Sequence, residues 1–112
     1  MIDYKFGHVI LVTFPFTDQS GSKKRPAVIV SSDAYNRIRR DLILMAITSQ
    51  FRKPSVLGDI KISEWKKSGL LKPSIIKPVM VTIEHSLVIK SLGQLEPVDC
   101  QLLRDTLRLI LG

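Results

Sequence analysis

Lys23-Lys24-Arg25-Pro26-Ala27-Val28-Ile29-Val30-Ser31-Ser32 sets three cations at the mouth of an apolar, β-branched run. Pro26 stands at the joint. Proline lacks an N–H, so it belongs at the first residue of a strand or on an edge. The loop is therefore expected to end at Arg25 and the strand to begin there. That puts a permanently charged guanidinium on a stiff element. A second stretch, Asp41-Leu42-Ile43-Leu44-Met45-Ala46-Ile47-Thr48-Ser49-Gln50, predicts a buried strand over Leu42 to Ile47 with its polar cluster at the far end. If the two strands are near neighbours, Arg25 and Thr48 converge on one bound group.

Working outward, Val9 to Phe14 is apolar apart from Thr13, which predicts a first strand buried on both faces. Pro15 to Ser22, with Gly21, supplies turn chemistry and leads straight into the cations. It reads as a binding loop or as a plain hairpin connection. Ser31-Ser32-Asp33 predicts a helix cap, with one or two turns through Arg40. Arg37, Arg39 and Arg40 form a second basic cluster there, and Tyr35 reads as a core or rim residue or as a base-stacking one. Phe51 to Ser55 is a loop with one aromatic among cations.

Further on, Asp59 to Ile62 alternates like a half-exposed strand. A short helix capped by Ser63 is expected over Glu64–Ser68, stopped by Gly69. Ser74 to Glu84 is extended, with an edge or a bulge near Pro78. A short strand or turn follows over Ser86 to Leu92, broken by Gly93. Pro97 opens a closing helix with Asp99 in its first turn. Cys100, Leu103, Leu107, Ile110 and Leu111 fall on one face of it, and Gln101, Arg104, Asp105 and Arg108 on the other. Five or more short strands with one closing helix predict a mainly β (α+β) domain, built on a small, strongly bent antiparallel sheet or barrel.

The chain has 112 residues, enough for one domain over 1–112 that buries a single core. Lysine and arginine number 17 against 10 acids, a formal charge of +7, with a pI near 9.9. Such a balance suits phosphate-rich partners, solubility, or an acidic protein partner. A single cysteine excludes an internal disulfide framework, and no metal-type Cys/His spacing is present. No apolar run is long enough to cross a membrane, and the N-terminus lacks a signal-peptide pattern. No membrane partner is expected, and the cytoplasm is the expected location.

Elimination narrows the chemistry. His8 opens the first strand and His85 follows a late one, and nothing in the sequence brings them together as an acid–base pair. Cys100 lies among core positions of a helix. Acids are scattered singly, without the paired carboxylates of a metal-dependent nuclease, and there is no glycine-rich phosphate motif. No metal or other cofactor is expected.

Gly7-His8-Val9-Ile10-Leu11-Val12, the loop through Asp18 and Gly21, Lys24 to Ser31, Tyr35-Asn36-Arg37 and Ile47 to Gln50 together resemble the MazF/PemK family of toxin endoribonucleases. Gly69-Leu70, Ser74-Ile75 and Leu92-Gly93-Gln94-Leu95 add landmarks in the second half. The resemblance implies an SH3-like barrel with a short internal helix and a C-terminal helix, forming a homodimer. It maps the family's catalytic arginine and threonine onto Arg25 and Thr48. It implies metal-independent cutting of single-stranded RNA, mRNA included, by attack of the ribose 2′-hydroxyl, leaving a 2′,3′-cyclic phosphate and a 5′-hydroxyl. A cognate antitoxin laid across the basic groove would silence it.

Lys23, Lys24, Ser31, Ser49 and Gln50 are candidate RNA contacts, although strand-end polar residues also satisfy backbone groups. One departure stands out. Gln19 to Lys24 holds no acid, where many relatives carry one before the arginine. Two other functions fit the same fold: a toxin that inhibits gyrase by protein contact, as CcdB does, and a non-catalytic nucleic-acid-binding barrel.

Overall fold

The computed structural model describes residues 3–14, 23–51 and 56–112. The loop through Asp18 and Gly21, and Arg52 to Ser55, lie outside the described residues. So do the side chains of Phe14 and Lys23. The chain forms β1 (His8–Phe14), β2 (Lys23–Ile29), α1 (Asp33–Ile38), β3 (Asp41–Thr48), β4 (Ile60–Lys61), β5 (Ile75–Glu84), β6 (Val88–Gln94) and α2 (Pro97–Leu111), with a single 3₁₀ turn at His85–Leu87 before β6. The strands make one sheet in the order β4-β5-β3-β2-β1-β6, and every pairing is antiparallel. Among the described residues the hydrogen bonds do not close a ring, so β4 and β6 are the edges.

Strand side chains alternate between the two faces of a sheet, and here both faces are covered. On one face Val9, Val28, Met45 and Ile47 pack with Leu95, Cys100 and Leu103 under α2. On the other, Ile10, Val12, Ala27, Ile29, Leu42 and Leu44 join Tyr4 and Ile83 in a second cluster. This two-sided burial is why β1 and β3 are continuous apolar runs. Leu103 is completely buried, a contribution of about 1.5–3 kcal/mol for a side chain of that size.

Three local expectations hold, each for a visible reason. The Ser32 hydroxyl caps α1 by accepting from the Tyr35 amide at 3.1 Å. Pro78 lies in a bulge: Met45 pairs with Met80 but Ile47 with Ile76, so Lys77-Pro78-Val79 faces Ala46 alone. Pro97 takes the first turn of α2.

Others need correction. β2 starts at Lys23, because β1 pairs with it from Phe14 onward. Glu64–Ser68 is a series of turns and not a helix. Its leading amides, on Ser63 and Glu64, donate to the Asp99 carboxylate at 2.9 and 3.0 Å, so the cap comes from α2 and not from Ser63. The segment ends as expected at Gly69, where Gly69 N–H bonds Lys66 O and Leu70 N–H bonds Trp65 O, the paired pattern of a helix-type C-terminus with glycine at positive φ. Gly93 does not break the last strand but lies inside β6. It is glycine because a Cβ there would run into the carbonyl of Ser68. On α2, Leu111 turns out to solvent with Val98, Leu102 and Leu109, while Leu107 and Ile110 pack partly against the core.

Candidate active site

The β2–β3 ladder runs Ile29↔Leu44, Val28↔Met45, Ala27↔Ala46 and then stops. Continued by two residues, that register sets Arg25 opposite Thr48. The stop has a chemical cause. Ile29 O accepts from Gly7 N–H on the β1 side, while Val30 N–H donates to Ile43 O on the β3 side. Backbone groups alternate sides along a strand, so position 26 faces β3. Pro26 has no N–H to offer Ile47, and the two strands part there.

The parting opens a cleft of about 560 Å³. Arg25, Thr48, Ser49 and Gln50 line it together with the apolar Leu11, Pro26 and Ile47 and with Gly69-Leu70-Leu71. Lys72 and Lys90 also line it, and among the described residues no carboxylate does. Arg25, Ser49 and Gln50 are exposed and Thr48 is half-buried. The Thr48 hydroxyl oxygen accepts from the Gln50 amide at 3.0 Å and its O–H donates to the Gln50 carbonyl at 3.2 Å. This small turn fixes the oxygen on the cleft. The hydrogen can be redirected, since a hydroxyl has one donor and two acceptor positions.

The remaining sequence candidates divide. Ser49 and Gln50 lie in the cleft with Arg25 and Thr48. Lys24 is exposed on the same strand, beside the cleft and not in its lining. Lys23 begins β2, and its side chain lies outside the described residues. Ser31 is not brought to the cleft. It is 5% exposed, its hydroxyl donates to Asn36 Oδ1 and accepts from the Ile43 amide at 3.1 Å, and it serves the other end of β2. Lys72 and Lys90 were not legible as site residues. Only the strand order brings them to Arg25.

Neither histidine lines this cleft: His85 follows β5 and its amide donates to Arg40 O, while His8 opens β1 opposite Gln94. They share a neighbour: the Tyr4 ring lies 6.3 Å from the His8 ring and 5.0 Å, edge-on, from the His85 ring. His8 Nε2 is 3.0 Å from Ser91 Oγ, and burial lowers the His8 pKa. His85 lies at the Asp41 end of β3, about 23 Å along that eight-residue strand from Thr48. Tyr35 is held by Asp41, to which its hydroxyl donates at 2.9 Å, and Arg39 lies over its ring. The buried Cys100 thiol is pushed up in pKa by burial and points at Leu95 O. Among the described residues no three His, Cys, Asp or Glu side chains are grouped to hold a metal, and no helix is long and apolar enough to cross a membrane.

Solved structures share this architecture. An endoribonuclease in complex with its cognate antitoxin, from a mycobacterial species, superposes with a TM-score of 0.79 at 19% identity, covering 97% of this chain and 95% of that one. MazF in a MazE–MazF crystal structure from Deinococcus radiodurans gives 0.75 at 20% identity, covering 99% and 98%. The Mycobacterium tuberculosis toxin MazF-mt6 gives 0.71 at 15%, covering 88% and 90%. At these identities the likeness is one of fold. No curated protein matches the chain in sequence. The family described as PemK-like, MazF-like toxin of type II toxin-antitoxin system matches residues 5–111, nearly the whole chain. This protein therefore belongs to the PemK/MazF family of toxins of type II toxin–antitoxin systems.

Proposed function

We propose that this toxin is an endoribonuclease that cuts single-stranded RNA, mRNA included, at the Arg25–Thr48 cleft without a metal or other cofactor. The observation that supports the reading is the interrupted ladder, beyond which Arg25 and Thr48 line one cationic cleft. In the reaction the ribose 2′-oxygen bonds to phosphorus and the bond to the 5′-oxygen breaks. The 2′ proton leaves to solvent, and the 5′-oxygen takes one from solvent. Negative charge builds on the non-bridging oxygens, where a guanidinium binds two in a fork. Thr48 turns its hydrogen from the Gln50 carbonyl to the phosphate and orients it. The nucleophile comes with the substrate, which suits a cleft whose described lining offers no histidine, cysteine or carboxylate.

The same cleft suits an acidic antitoxin segment. Its cations match the charge, and Leu71 in its lining, 94% exposed, offers apolar surface to an anchoring side chain. The solved relatives that carry an antitoxin support that partner. A homodimer in the cytoplasm, where mRNA is found, completes the reading.

Purified protein incubated with a long single-stranded RNA in excess EDTA, beside Arg25→Ala, tests it. Fragments ending in cyclic phosphates, absent with the variant, are the expected result. Intact RNA that still binds the protein would turn the assignment to a binding barrel or a protein-directed toxin.

A further inference from the structure

Two cations of the cleft have no role in the reaction described above. Lys90 lies on β6 opposite Leu11, and Leu11 lies opposite Pro26, so Lys90 flanks the Arg25 side. Lys72 precedes β5. The Ser74 hydroxyl donates to its carbonyl at 2.8 Å, and the next residue, Ile75, pairs with Thr48, so Lys72 flanks the Thr48 side. Read across the sheet, Lys72, Thr48, Arg25 and Lys90 follow one another from the start of β5 to β6. That path crosses four strand spacings, about 19 Å. Among the described residues the cleft's lining carries one sign of charge, with no carboxylate. The larger cleft at the opposite end of the sheet, about 740 Å³, lacks this property: Asp3 and Glu84 share it with Arg37, Arg39 and Arg40.

Resting on the RNA reading above, we propose that Lys90 and Lys72 bind the phosphates on either side of the scissile one, so that the RNA crosses the strands from β6 to the start of β5. Arg25 and Thr48 address the reacting phosphate, and the two lysines fix where along the chain it sits. An ammonium is a point charge that holds phosphate without reading the base. The pair therefore contributes affinity and register and leaves sequence preference to other groups.

The test is binding of a single-stranded RNA carrying 2′-O-methyl groups throughout, which 2′-hydroxyl attack cannot cut. Affinity is followed against potassium chloride for the unaltered protein and for Lys72→Ala, Lys90→Ala, both together, and Arg40→Ala from the opposite cleft. Neutralising one single-strand phosphate contributes about 0.7 to the slope of log affinity against log salt. Each lysine variant is expected to lower the slope by about that amount, the double variant by about twice as much, and Arg40→Ala not at all. Binding should weaken alike for RNAs of different sequence. Unchanged slopes in the lysine variants, with the unaltered protein binding RNA, would overturn this assignment alone. So would an equal loss from Arg40→Ala, which would reduce the effect to overall charge. No binding by the unaltered protein would overturn the RNA reading and the assignment with it.

Discussion

Arg25 and Thr48 line one cleft, and the β2–β3 register continued two residues past its last pair, Ala27↔Ala46, sets them opposite each other. Neither side chain holds the other. Their alignment is inherited from the Ala27↔Ala46 pair behind them, so the site's spacing is set by a buried ladder and its opening by a missing N–H. A rigid scaffold that ends abruptly suits a reaction needing a fixed positive group beside a moving phosphate.

Arg25→Ala is expected to lower RNA cleavage by on the order of a hundredfold or more, the usual cost of removing a donor aimed at developing charge. Arg25 is exposed, so the melting temperature should hardly move. Arg25→Lys should recover little, because an ammonium cannot make the two-pronged contact. Thr48→Val should also slow cleavage and free the Gln50 amide. Initial rates on one defined RNA, paired with thermal melts, check all three.

Pro26→Ala supplies the N–H whose absence ends the β2–β3 ladder. The added rung to Ile47 would draw the strands together and narrow the cleft between Arg25 and Thr48. The expected outcome is slower cleavage with stability unchanged or raised, and slow hydrogen exchange at the new amide. A fast-exchanging amide with full activity would show that proline is not what parts the strands.

Ser31→Ala separates a structural role from a binding one. The change leaves Asn36 Oδ1 and the Ile43 amide without their partner, and unsatisfied buried groups cost about 1–3 kcal/mol. Denaturant unfolding should show that loss, while the cleavage rate of the folded variant stays unchanged. A variant that keeps its stability and loses RNA affinity would return Ser31 to the RNA-contact list.

The sequence disclosed most where one segment carried its own reason. Leu42 to Ile47 is apolar throughout because both faces of β3 are covered. Pro97 and the spacing of Cys100, Leu103 and Leu107 mark α2, and Pro78 marks a bulge. What stayed hidden depends on distant partners. Glu64–Ser68 has the composition of a short helix, but its amides are taken by a carboxylate 35 residues further on. Gly93 looks like a breaker until Ser68 is found against it. Ser31 lies in the same motif as Arg25, yet the strand carries it to the other end of the sheet. Lys90, within Ile89-Lys90-Ser91, resembles any exposed strand position, and only the β6–β1–β2 order shows what it faces.

Asp99 is that distant carboxylate, wholly buried and accepting from the Ser63 and Glu64 amides. Asp99→Ala leaves two donors unpaired and is expected to cost about 3 kcal/mol, at the upper end for unsatisfied buried groups. Asp99→Asn keeps one accepting oxygen and should cost less. Because the turn from Ser63 to Gly69 leads into Leu70 and Leu71, which line the cleft, antitoxin-peptide or RNA affinity should fall along with stability. Denaturant melts beside binding titrations of both variants measure the two effects.

His8 gives the fold a pH dependence whose sign follows from its burial. Burial lowers its pKa below the ordinary 6.5, since removal from water disfavours the charged form. The unfolded chain therefore binds the proton more readily than the folded one, and stability rises with pH through this window. The contribution is fully present above the unfolded value of 6.5 and is lost as pH falls through the lower folded value. Melting temperatures taken from about pH 8 down to about pH 5 should decline in the unaltered protein. They should decline less in His8→Gln, which keeps a hydrogen-bonding group near Ser91 but has nothing to protonate. Curves that fall in parallel would assign the acid sensitivity to another group and leave His8 a neutral packing residue.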